Sequence, residues 1–172
     1  MRSIKIGFSK SKKSIPWGSW LIRLYQWTPF SHTYARLKTP SLGSDTFLHA
    51  SEGKVQRMSQ VQFEKRHEII EEFTIELDDF QYMTMKHHIH YFSGDDYSFW
   101  QNIGIAVVDL ARLVGIRATN PWQSGWNCSE FVMTVLKPLY PSKFEGIDPN
   151  TVTPKEIYNI LNLLKKEGLI NN

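Results

Sequence analysis

Gly125-Trp126-Asn127-Cys128-Ser129-Glu130-Phe131-Val132 is the stretch around which the rest of the chain can be organised. Asn127 and Glu130 have the spacing of a capping box, in which the N-cap side chain accepts the N3 amide and the N3 side chain returns to the N-cap amide. Cys128 then becomes the first residue of a predicted helix. There the unpaired backbone N–H groups and the positive end of the helix dipole favour thiolate over thiol, and a backbone N–H can hold an oxyanion on an attacked carbonyl. The expected consequence is a thiol pKa below the free value of about 8.5. A plainer origin competes with this one. Phe131, Val132, Val135 and Leu136 continue the face that Cys128 begins, and cysteine is often just a small buried hydrophobe.

A base has to decide between the two. Of the six histidines, His32 is the best placed, following Pro29-Phe30-Ser31 at the start of a predicted strand where its ring can project toward a helix end and stay partly wet. A thiol nucleophile needs such an imidazole to take its proton and later return it to the leaving group, and the imidazole needs a third polar group to hold its tautomer. His49, on the next predicted strand in Thr46-Phe47-Leu48-His49-Ala50, can supply that group, provided both rings point to the same face. A lone strand histidine is more often structural.

Outward from these segments, 1–172 reads as a single α+β domain. Ile4, Ile6 and Phe8 alternate with Lys5 and Gly7 as a half-buried strand does, and Trp17, Trp20, Leu21 and Leu24 recur at helical spacing between Pro16 and Pro29. Ser31 to Leu37, Thr46 to Ser51, Val55 to Met58 and Glu68 to Leu77 are β-rich runs separated by turn formers, for which antiparallel hairpins are the economical topology. Phe99, Ile103, Ala106, Leu110 and Leu113 mark a helical stripe that Gly115 can end. Thr153-Pro154-Lys155-Glu156 opens a last helix, and Gly168 suits its C-terminus.

Composition narrows the function classes. With 20 basic and 17 acidic residues the net charge is +3, which does not indicate nucleic-acid binding. One cysteine permits neither an internal disulfide nor a Cys-x-x-Cys metal site. No run of about 18 apolar residues and no signal-like segment occurs, so a soluble cytoplasmic product without a transmembrane segment is expected. Glycine-rich phosphate loops are absent, and no cofactor is expected.

Three segments together resemble a known group. Ser31-His32-Thr33-Tyr34-Ala35, Phe47-Leu48-His49-Ala50 and Asn127-Cys128-Ser129-Glu130-Phe131-Val132 are similar to the histidine strand, third polar position and cysteine helix of the circularly permuted NlpC-type papain-like superfamily. That group includes the YaeF/YiiX-like proteins and relatives of lecithin:retinol acyltransferase. Lys5-Ile6-Gly7-Phe8-Ser9-Lys10, Ser19-Trp20-Leu21-Ile22-Arg23 and Thr153-Pro154 add to the likeness, and the opening half resembles small members carried by bacteriophages. The order histidine, polar residue, cysteine is the permuted one. The resemblance implies a permuted papain-like fold, with an antiparallel sheet packed against the cysteine helix. It implies a thiol mechanism on amide or ester substrates, with Cys128 as nucleophile, His32 as base and His49 as the third group, where relatives can carry glutamate or another polar residue.

Two other signals weigh less. His87-His88-Ile89-His90, near Asp95 and Asp96, invites a metal, but its spacing matches no recognised zinc site and a polar face before Gly94 explains it, so no metal is expected. The Trp17, Trp20, Tyr25 and Trp27 helix, flanked by Lys12, Lys13 and Arg23, could lie on a membrane surface, although core packing is the stronger expectation. The function expected is therefore a cysteine hydrolase cleaving amide bonds through an acyl-enzyme, with peptidoglycan stem peptides favoured. A lipid acyl hydrolase or acyltransferase using the same residues, or a non-catalytic binding module with Cys128 as core filler, are the alternatives.

Overall fold

The computed structural model describes residues 2–12, 17–39, 44–51, 54–92, 94, 104, 108, 115 and 126–172. Strands β1 (Arg2–Ser11), β2 (His32–Thr39), β3 (Ser44–Ser51), β4 (Lys54–Ser59) and β5 (His67–Leu77) form one antiparallel sheet in the order β4-β3-β2-β1-β5. The helices whose bounds fall among the described residues are α1 (Trp17–Gln26), α2 (Gln60–Arg66), α3 (Asp79–Phe92), α4 (Cys128–Leu136) and α5 (Pro154–Lys166). The chain is thus of the α+β class with an antiparallel sheet, as the alternating runs predicted.

Strand alternation sorts the side chains into two layers. Ile4, Ile6 and Phe8 of β1 join Ala35, Leu37, Leu48 and Ala50 on one face, where they pack against Phe131, Val132, Val135 and Leu136 of α4, Ile157, Leu161 and Leu164 of α5, and Tyr82, Met85 and Ile89 of α3. Tyr34, Phe47 and Met58 face the other way and pack on Phe63 of α2. Gly7 lies opposite Tyr34 in the β1–β2 register, and a Cβ there would come within 2.2 Å of the Tyr34 ring, so only glycine leaves space for that ring. Tyr34 O–H donates to Glu72 at 2.9 Å, and Glu72 also accepts from Arg36 and Lys5, which closes this second layer with a partly buried ionic network.

Local rules account for the element ends. Asn127, Ser59 and Thr153 each make a capping box with the residue three positions on. Gly168, just past α5, has φ 73°. The Ser59-Gln60-Val61-Gln62 box starts α2, a helix not anticipated from the sequence. The expected stripe from Phe99 to Leu113 lies outside the described residues except for Gly104 and Val108, both helical, and Gly115 sits in a turn with φ 77°.

One expectation is corrected by exposure. Among the described side chains of this segment, Trp20 and Leu24 are exposed and not in the core, and Trp27, just beyond the end of α1, is 86% exposed at φ 52°. The helix is tied down instead at its polar end, where buried Gln26 accepts the Lys155 amide at the start of α5 at 3.2 Å.

Candidate active site

Cys128 is the first residue of α4, as its capping box predicted. Asn127 Oδ1 accepts the amides of Ser129 at 2.9 Å and Glu130 at 2.8 Å, while Glu130 returns to the Asn127 amide at 3.3 Å. These bonds fix the helix start and leave the thiol against β2, where the backbone amide of Thr33 hydrogen-bonds to it; Ser129 Oγ lies 4.0 Å from the sulfur.

His32, the neighbour of Thr33, opens β2. Its Nε2 lies 3.1 Å from Nδ1 of His49, so the two histidines singled out from the sequence are in direct hydrogen-bond contact. The registers explain why. His49 stands across from Tyr34 when the β2–β3 pairing is continued, His32 is two residues away on the same face, and the diagonal places the rings edge to face at 5.2 Å. A slip of one residue would have turned His49 to the α4 side.

The imidazoles lie on the α2 face of the sheet, whereas α4 packs on the other. The β2–β3 ladder runs only from Thr39↔Ser44 to Ala35↔Leu48, yet β2 stays paired with β1 as far as His32 and β3 with β4 as far as Ser51. The thiol meets β2 beyond the last β2–β3 pair, at the backbone of Thr33, beside the residue that carries the imidazole.

A third histidine belongs to the cluster and was missed. His67, first residue of β5, stacks on His32 at 5.2 Å and on Phe63 at 4.5 Å, with His49 edge-on to His67 and to Phe63. Its Nδ1 lies 3.5 Å from Ser9 Oγ in β1. The only available sequence signal was that the β5 run could begin one residue before Glu68.

Electrostatics correct two expectations. His32 is only 8% exposed and not partly wet; burial first, then His49 and His67, hold its pKa well below the usual 6.5. His49, 1% exposed, is pulled down to about 3, mainly by burial and then by His67 and Arg66. Cys128 is 2% exposed, and burial pushes its thiol up rather than down: the amides of Thr33, Cys128 and Ser129 and the Ser129 hydroxyl oppose the shift without reversing it. A helix N-terminus lowers a thiol pKa only while the sulfur keeps some solvation. At rest the thiol and the imidazoles of His32 and His49 are accordingly neutral.

His87 is exposed on α3, and among the described residues no three histidine, cysteine, aspartate or glutamate side chains converge as a metal site. Among them, too, no helix is long and apolar enough to cross a membrane. No protein-family model matches the chain, and no match is found among curated proteins.

Proposed function

We propose that the chain is a permuted papain-like thiol hydrolase that cleaves amide bonds through a thioester intermediate. The observation that carries this reading is the 3.1 Å contact between His32 Nε2 and His49 Nδ1, with the thiol of a capped helix start hydrogen-bonded by the amide of Thr33, the residue after His32. In this reading Nδ1 of His32 is the nitrogen that would take the thiol proton. Cys128 gives its proton to His32 as sulfur attacks the carbonyl carbon, and the Cys128 amide helps hold the resulting oxyanion. The C–N bond then breaks as the imidazolium protonates the leaving amine. Water, deprotonated by His32, attacks the thioester; the C–S bond breaks and the thiol regains its proton. Because the resting pair is neutral, His32 works as a general base on demand and not as half of a preformed ion pair.

Cell-wall stem peptides are the favoured substrate, and acyl esters of lipids would use the same residues. Mass spectrometry of peptidoglycan digests and of acyl-ester hydrolysis, each with the protein and with Cys128→Ser, tests the proposal. Shortened muropeptides or released acyl chains that disappear in Cys128→Ser support it, and persistence in the variant removes the mechanism. The near-complete burial of Cys128 favours a second reading, a non-catalytic module in which the cysteine fills core space. That reading predicts iodoacetamide labelling only after unfolding and no change in either digest.

A further inference from the structure

We propose that His67 is a positioning residue, whose ring, stacked between Phe63 and His32, fixes the plane of the His32 imidazole. The inference rests on the hydrolase reading for its catalytic meaning, but on ring geometry for its substance. A single hydrogen bond between His32 Nε2 and His49 Nδ1 sets the direction of one nitrogen; it does not set the rotation of the ring about that direction. The terminal torsion of histidine is broad and roughly two-fold, so the plane needs a second constraint. His67 supplies it. Its ring lies over that of His32 at 5.2 Å with 29° between planes, and Phe63 backs it at 4.5 Å and 14°. Ser9 Oγ, 3.5 Å from His67 Nδ1, anchors the middle ring to β1. His49 closes the arrangement with its edge against all three rings, 81–88° from each plane. The three rings come from β2, β5 and α2, so the stack joins the candidate base on β2 to β5 and α2.

The test compares His67→Ala, which removes the middle ring, with His67→Phe, which keeps a stacking face and loses the nitrogens. Nitrogen-15 imidazole spectra of the full chain read the tautomer and ring exchange of His32 directly, and iodoacetamide reads the rate of Cys128 alkylation at pH 7.5. The expected result is one sharp His32 tautomer in the wild type and in His67→Phe, and exchange-broadened mixed tautomers in His67→Ala. Alkylation should slow roughly tenfold in His67→Ala, as expected for a misplaced base, and return to within about twofold in His67→Phe. Unchanged His32 spectra in His67→Ala, or a His67→Phe as impaired as His67→Ala, overturns the proposal. Should His67→Ala fail to fold, Phe63→Leu takes away the outer ring with His67 in place and must loosen His32 in the same spectra, or the proposal fails. The spectra do not need turnover, so a failed stack and a failed hydrolase reading are separate results.

Discussion

Lowering the pH from 7.5 to 5.5 should destabilise the fold by an amount set by the two buried histidines of the β2–β3 pair. Both have folded-state pKa values depressed by burial, His49 to about 3 and His32 well below 6.5. The folded state therefore binds fewer protons than the unfolded chain, whose histidines titrate near 6.5. The stabilising difference is fully present above about pH 7 and is lost as the pH falls through the unfolded value. Two units of acidification across that value cost about 3 kcal/mol for the pair together, an amount that depends on the folded values lying far below 5.5 and not on their magnitudes. That is a large fraction of a domain's usual 5–15 kcal/mol. Urea denaturation at half-unit pH intervals measures it, with the double variant His32→Gln/His49→Gln as control. The wild type should lose stability steadily below pH 6.5, and the double variant should lose much less. A flat wild-type profile, or the same slope in the double variant, would refute the neutral buried pair and with it the description of His32 as a base on demand.

Three further outcomes follow from particular contacts. Gly7→Ala should cost more than the ~1–3 kcal/mol usual for overpacking, because the 2.2 Å approach is to a fully buried ring held by Glu72; in a Tyr34→Leu background the same change should cost far less, as a double-mutant cycle in urea would reveal. Asn127→Ala should lower stability by about 1–2 kcal/mol, since one buried oxygen serves two amides, whereas Ser59→Ala, an exposed cap at 3.4 Å, should cost a few tenths to ~1 kcal/mol in the same chemical melts. Trp27→Gly should raise the melting temperature or leave it unchanged, because an exposed tryptophan at φ 52° after α1 occupies a conformation that costs L residues about 1 kcal/mol; a clear loss of stability would mean that the indole makes a contact worth more than the strain.

The local parts of this fold were legible in the sequence because local chemistry determines them. The Asn127–Glu130 and Thr153–Glu156 boxes mark the starts of α4 and α5, and the alternation of Ile4, Ile6 and Phe8 marks the buried face of β1. α2 carried the same kind of mark in Ser59 and Gln62, but with only Phe63 buried it shows almost no apolar period to draw attention to it. What could not be read was everything that depends on long-range pairing. β1 sits between β2 and β5, so Ser9 lies close to His67 across 58 residues, and no local pattern encodes that neighbour. The sign of the Cys128 shift was lost for the same reason: the helix start is local and favours thiolate, whereas burial is a property of the assembled layers and favours thiol.

Register links these long-range features to the chemistry. His32 and His49 meet because the β2–β3 pairing sets His49 opposite Tyr34, one diagonal step from His32, on the face where Phe63 and His67 also stand. The same alternation sends Thr33, Ala35 and Ala50 to the α4 side, so a side chain on α4 cannot approach these imidazoles across a continuous ladder. The ladder is not continuous there. Pairing between β2 and β3 stops at Ala35↔Leu48, and the Thr33 amide beyond it is hydrogen-bonded to the Cys128 thiol. The stretch of β2 unpaired with β3 therefore begins at Tyr34 and runs back to His32, and the Cys128 thiol meets the backbone of β2 within it, at Thr33.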